Sequence, residues 1–146
     1  IPLRYLEDGL SPPLTWSGAP AGTKSFVLLL EDPDEIPNLE LIRGYWIVYD
    51  IPGVVASLAE GAGAENGKKL PSEAKHGKTN WEKNNTFYRG LEPTQSTGPH
   101  RFYFRLYALS EATISPAGEA TKDNIEAAMA GKILGRCELM GTYFRP

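Results

Sequence analysis

His76 and His100 are the only imidazoles in this chain of 146 residues. Any histidine acid–base or metal chemistry must therefore run through one of them. They are not at the spacing of a zinc motif, and the expected metal set is none. Asp32 follows the apolar run Phe26 to Leu30 and precedes Pro33, a position that suits either a turn or the rim of a pocket. His76 lies in a polar stretch and reads as solvated. Gly77-Lys78-Thr79 imitates the tail of a phosphate-binding loop, but the glycine that pattern needs is replaced by Ser72. No Gly-x-Ser-x-Gly elbow occurs, so a serine hydrolase of that type is unsupported. Asn84-Asn85-Thr86 matches a glycosylation sequon, which matters only in a eukaryotic secretory setting. Cys137 is the single cysteine, so no disulfide can form within the chain.

These residues need a scaffold, and the pattern around them reads as strands. Phe26 to Leu30 is a short apolar run ending at Asp32-Pro33, which favours a buried strand. Tyr45 to Ile51 is aromatic and β-branched and stops at Pro52-Gly53. Phe102 to Leu109 is a third strand. From Cys137 to Tyr143 apolar and polar residues alternate, and Cys137 reads as a small buried hydrophobe there. Trp46, Phe104 and Tyr107 read as core. The one clear helix starts at Thr121 as N-cap, has Asp123 in its first turn, aligns Ile125, Ala128 and Met129 on one face, and stops at Gly131. Ala56 to Tyr88 reads as a long irregular excursion, the kind of loop that is functional or mobile. The expected fold is mostly β, an antiparallel sandwich with one or two peripheral helices, forming one domain over 1–146 that a short N-terminal segment could precede.

Composition narrows the function. Hydrophobic content of 41% fits a globular chain. The net charge of −3 comes from 15 basic and 18 acidic residues. They are mixed along the chain, without the basic stripe of a nucleic-acid binder or a basic amphipathic helix for a membrane surface. No apolar run is long enough to span a bilayer. A cytoplasmic location fits the lone cysteine. A periplasmic or secreted one stays open, because targeting residues could precede Ile1.

Three segments together resemble the phosphatidylethanolamine-binding protein family, also called the Raf kinase inhibitor protein family, in its bacterial and archaeal branch. Asp32-Pro33-Asp34 leading to Pro37 is similar to Asp-Pro-Asp-x-Pro. Tyr45-Trp46-Ile47-Val48-Tyr49-Asp50-Ile51-Pro52 is similar to His-Trp-x-Val-x-Asn-Ile-Pro. Gly98-Pro99-His100-Arg101-Phe102 is similar to Gly-x-His-Arg-Tyr. Ser11-Pro12-Pro13-Leu14-Thr15-Trp16 and the segment from Gly131 to Arg145 extend the likeness over nearly the whole chain.

The resemblance implies a ligand pocket lined by Asp32, Tyr45, Gly90, Pro93, His100 and Phe102, with Asp34, Pro37 and Arg101 as structural support. It implies a small anion such as phosphate or phosphoethanolamine, or a phospholipid head group. It also implies no cofactor, a protein partner such as a kinase or protease to be modulated, and a homodimer. Asp32 would orient the imidazole or meet an ethanolamine ammonium. Four departures stand out. Tyr45 replaces a histidine, Phe102 replaces a tyrosine, Leu91 replaces a proline, and Glu35-Ile36 adds a residue before Pro37. A phosphate that loses a charge-assisted bond loses about 1–3 kcal/mol. Two other readings stay open: an interaction protein with a vestigial pocket, working through the Ala56 to Tyr88 excursion or a dimer face, and a hydrolase using Asp32 and His100 as acid–base pair.

Overall fold

A computed structural model describes residues 1–36, 41–80 and 85–146. Five strands form one antiparallel sheet: β2 (Ser25–Ile36), β3 (Leu41–Pro52), β5 (Lys75–His76), β6 (His100–Leu109) and β7 (Ile133–Tyr143), in the order β5-β3-β2-β6-β7. β1 (Leu14–Thr15) and β4 (Ser57–Leu58) make a second, two-stranded antiparallel sheet. A 3₁₀ turn spans Leu3–Tyr5, and α1 covers Lys122–Met129. The expectation of a mostly β, antiparallel fold holds.

Alternation along β2 makes the architecture. Phe26, Leu28 and Leu30 join Trp46, Phe102 and Leu106 in the larger core. The residues between them, Val27 and Leu29, join Ile47, Ile125 and Met129 in a smaller one, as a period of two dictates. Leu6, Leu58, Ala62 and Tyr88 cover the first face, while α1 covers the second. The helix starts as its sequence demands: the Thr121 hydroxyl accepts from the Asn124 amide at 3.3 Å. Gly131 sits at φ +76 just beyond the helix.

Three expectations need correction. β2 does not stop at Asp32-Pro33 but continues to Ile36 through a register irregularity between Asp32 and Ile36. Proline is tolerated there because a bulge releases its position from the ladder. The excursion from Ala56 to Tyr88, expected to be long and irregular, is anchored in the fold: Leu58, Ala62 and Tyr88 are buried in the larger core. Its His76 is partly buried, with Nδ1 accepting from the Trp46 indole at 3.3 Å and Nε2 facing the Ala64 carbonyl at 3.2 Å. Cys137 is exposed, because β7 is an outer strand and the sandwich does not cover it there. Trp46 and Phe104 are buried as expected, and Tyr107 packs on the smaller core. Among the described residues, no helix is long and apolar enough to cross a membrane.

Candidate functional site

Asp32 and His100, far apart in sequence, meet where β2 and β6 run side by side. The two side chains are 0% and 1% exposed, and Asp32 Oδ2 lies 2.6 Å from His100 Nδ1. Phe102 stacks near the imidazole, with ring centroids 6.5 Å apart, and Tyr45 from β3 packs edge-on to Phe102 at 5.6 Å. Four of the expected pocket residues are thus contiguous. Burial and the neighbouring carboxylates push the Tyr45 phenol well above its ordinary range, so it stays neutral.

Glu35 completes the cluster, and the sequence reading missed it. Its Oε2 is 3.5 Å from His100 Nδ1. In a regular strand residues 32 and 35 would face opposite sides. The irregularity after Asp32 turns Glu35 inward to the same point. The extra residue ahead of Pro37 was the available signal. Glu35 is held from the loop before β6: it accepts from the Thr94 amide at 3.0 Å and the Thr94 hydroxyl at 2.7 Å. Arg43 stands 3.9 Å away.

Hydrogen-bond accounting fixes where the protons lie. The Thr97 hydroxyl donates to the Thr94 carbonyl at 2.6 Å. A hydroxyl has one hydrogen, so its contact with His100 Nε2 at 2.6 Å must be donated by the imidazole. Nε2 therefore carries a hydrogen, and a second sits between Nδ1 and Asp32. Asp32 also accepts from the Asp34 amide at 2.7 Å. Desolvation raises the Asp32 pKa above the ordinary carboxylate range, although the bond from His100 opposes this. The relay from Thr97 through His100 to Asp32 has the connectivity of a nucleophile–base–orienter triad. Its hydroxyl hydrogen, however, points away from the base.

Asp32, Glu35 and His100 also offer three buried ligating atoms within 4.8 Å of one another. A divalent cation there would have to displace the hydrogen on Nδ1. With that hydrogen in place, the Asp32–His100 pair is neutral and Arg43 balances Glu35, so the cluster closes its own charge.

The supporting residues behave differently. Arg101 donates through Nε and Nη2 to the two oxygens of Asp34, at 2.8 and 2.7 Å, and its backbone amide adds a third bond at 2.9 Å. This fork ties the end of β2 to the start of β6 and holds the Asp34 carboxyl below its ordinary range. Pro93 is buried next to Thr94. Gly90 serves packing: it sits at φ +104, and a Cβ there would lie 2.1 Å from the Leu6 carbonyl oxygen. Pro37 lies outside the described residues.

The sequence pattern of the phosphatidylethanolamine-binding protein family matches residues 1–144. The chain belongs to the phosphatidylethanolamine-binding protein family. A UPF0098 protein of Methanothermobacter thermautotrophicus is 35% identical over 147 residues, spanning 99% of this chain and 91% of the relative. Among solved structures, Escherichia coli YbcL, itself described as a new member of the mammalian PEBP family, superposes with a TM-score of 0.86. It is 29% identical and matches 95% of this chain and 82% of its own. The homologue CT736 of Chlamydia trachomatis gives 0.82 at 35% identity, with 100% and 90% covered. Membership makes this a ligand-binding protein of the phosphatidylethanolamine-binding type. Its departures from the family pattern, Tyr45 and Phe102, are two rings packed against each other beside Asp32 and His100.

Proposed function

We propose that this chain binds a small zwitterionic ligand, the phosphoethanolamine head group or its free form, at the Asp32–Glu35–His100 cluster. The observation that carries the reading is that two carboxylates face one imidazole nitrogen, at 2.6 and 3.5 Å. A bare phosphate dianion entering there meets no net positive charge, because Asp32 already faces the imidazole and Glu35 already faces Arg43. A ligand with an ammonium can give that end to Asp32 and Glu35 and its phosphate to His100 Nε2.

The cluster is covered by a loop. Thr94 and Thr97 occupy the hydrogen-bonding positions of Glu35 and His100, and both are exposed residues of one loop. Binding therefore requires that loop to lift and exchange two threonine contacts for ligand contacts. The test is titration with phosphoethanolamine, ethanolamine and inorganic phosphate, read at the His100 ring resonances. Phosphoethanolamine is expected to shift them, at lower concentration than either half alone. Absence of any shift at millimolar phosphoethanolamine would overturn the reading.

A second reading has its own observation. Tyr45 is completely buried and locked edge-on to Phe102, as in a pocket closed for good. The chain would then act through its surface, and silence at His100 for all three compounds is what that reading expects. Modulation of a kinase or protease belongs with either reading.

A further inference from the structure

Asp32 belongs to the cluster described above, while Glu31, one residue earlier in β2, reaches Lys122 of α1 on the opposite face of the sheet. On that second face a groove of about 340 Å³ runs over β2 and β3. Its size lies at the lower end of the range for small-molecule sites. Leu29, Ile42 and Ile47 give it an apolar floor. The segment from Lys78 to Asn80 forms one wall, and the first turn of α1 forms the other. The two walls are fastened together: the Lys78 amide donates to the Ala120 carbonyl at 2.7 Å, and the Lys78 ammonium donates to Glu119 at 2.7 Å.

Two features of the groove point to a ligand. The first is Gly44, which lines it directly opposite Glu31 in the β2–β3 register. The irregularity between Leu30 and Glu31 sends both Tyr45 and Trp46 into the larger core and leaves Gly44 on the groove face. Gly44 is not among the glycines with positive φ. A Cβ there would make only ordinary contacts, at 3.5 Å to Asn80 Oδ1 and 3.9 Å to Thr79 Cβ. Neither backbone conformation nor close packing calls for glycine, and its effect is to keep the space beside Glu31 open. The second feature is the Glu31 carboxylate itself, in a residue only 2% exposed. Arg105 takes Oε2. The Lys122 ammonium stands 2.7 Å from Oε1 but off its hydrogen-bonding direction, so among the described residues Oε1 accepts no hydrogen bond. The neighbouring side chains cannot help. Asn80 is committed to the Gly44 amide and the Ile42 carbonyl, and the Thr79 hydroxyl to the Asn85 carbonyl. A buried acceptor left in this state costs free energy that an incoming donor recovers.

We infer that this groove binds a small neutral molecule made of an apolar ring and a primary amide or lactam edge. The N–H of that edge donates to Glu31 Oε1, its carbonyl accepts from the Lys122 ammonium, and the ring lies on Leu29, Ile42 and Ile47. Charge decides the class. An anion in the groove would face the carboxylates of Glu31 and Asp123, and a cation would face the ammonium groups of Lys78 and Lys122. A donor and an acceptor side by side match the Glu31–Lys122 pair as it stands. The pair is not broken, so no buried charge is stranded.

This inference is independent of the Asp32–His100 cluster, which lies on the other face. Its test compares benzamide with benzamidinium and benzoate, three compounds of one shape that differ only in the head. Each is titrated into the chain and read at the Gly44 and Thr121 amides and at the His100 ring. Benzamide is expected to shift Gly44 and Thr121 saturably at millimolar concentration and to leave His100 unmoved. The two charged compounds should bind at least ~10-fold more weakly, the value of one hydrogen bond to a charged group. Gly44→Leu fills the groove and should abolish the benzamide shift at Thr121. Lys122→Met removes the carbonyl's partner and should reverse the order, so that benzamidinium binds better than benzamide. Cooperative thermal melts will show that the variants fold, and Gly44→Leu has room for its Cβ. No shift with millimolar benzamide, equal binding of the three compounds, shifts at His100 alone, or benzamide binding that survives Gly44→Leu would each overturn the proposal.

Discussion

Glu31 and Asp32 are consecutive residues of β2, equally deep, at 2% and 0% exposed, yet the sheet sends them to opposite faces. Glu31 is answered by cations: Arg105 from β6, and Lys122 from α1 at 2.7 Å. Asp32 is answered by an imidazole, a backbone amide and, through His100, a threonine hydroxyl. The two solutions to one desolvation problem have different consequences. Permanent cations give a fixed clamp between strand and helix. An imidazole, a shared hydrogen and loop hydroxyls give a cluster whose protons and partners can be exchanged.

That contrast can be broken experimentally. The largest effect is expected on the clamped side. Arg105→Ala leaves Glu31 buried with one cation fewer and should cost about 3 kcal/mol in urea unfolding. Asp32→Asn should cost less, about 2 kcal/mol, because the neighbouring groups are neutral as a set and a loop can rearrange around them. It should also abolish any ligand-induced shift at His100. A loss from Asp32→Asn larger than that from Arg105→Ala would reverse the assignment of clamp and exchangeable cluster.

Acidity sharpens the same comparison. Asp32 is held above the ordinary carboxylate range, chiefly by desolvation. Its contribution is therefore greatest at low pH and is lost as pH rises through its folded pKa. Asp34 is held below that range by Arg101. Its contribution is present above the ordinary aspartate value and is lost as pH falls through its lowered pKa. The two oppose each other on acidification. Between about pH 6 and about pH 3, Asp32→Asn should lose stability more steeply than the parent chain, and Asp34→Asn less steeply. Identical slopes would mean that neither shift is real. Arg101→Ala should give the smallest change at neutral pH, a barely measurable movement of the urea midpoint, since its half-exposed fork competes with water.

Much of this was legible in the sequence, and what was not has identifiable causes. The strands around Phe26 to Leu30, Tyr45 to Ile51 and Phe102 to Leu109 follow from local pattern, as does the helix that Thr121 opens. The meeting of Asp32 with His100 was carried by family likeness, because no local rule brings β2 beside β6. Glu35, Thr94 and Thr97 were missed. The inward turn of Glu35 comes from a strand irregularity that alternation does not foretell. The threonines act from a loop whose path depends on the finished sheet. Cys137 was misread because alternation marks a face as core-side without saying whether a second layer reaches that far. His76 was misread because its polar neighbours in sequence are not its neighbours in space.

His76 has a use beyond packing. Its Nδ1 accepts the Trp46 indole hydrogen, and burial lowers its pKa below the ordinary histidine value. Adding a proton to Nδ1 removes that acceptor and charges the ring beside a buried chromophore. Acidification through that pKa should therefore change the emission colour and intensity of Trp46, before global unfolding, in a chain whose Trp16 and Trp81 are replaced by phenylalanine. The protein carries its own optical gauge of whether the excursion is still fastened to the sheet.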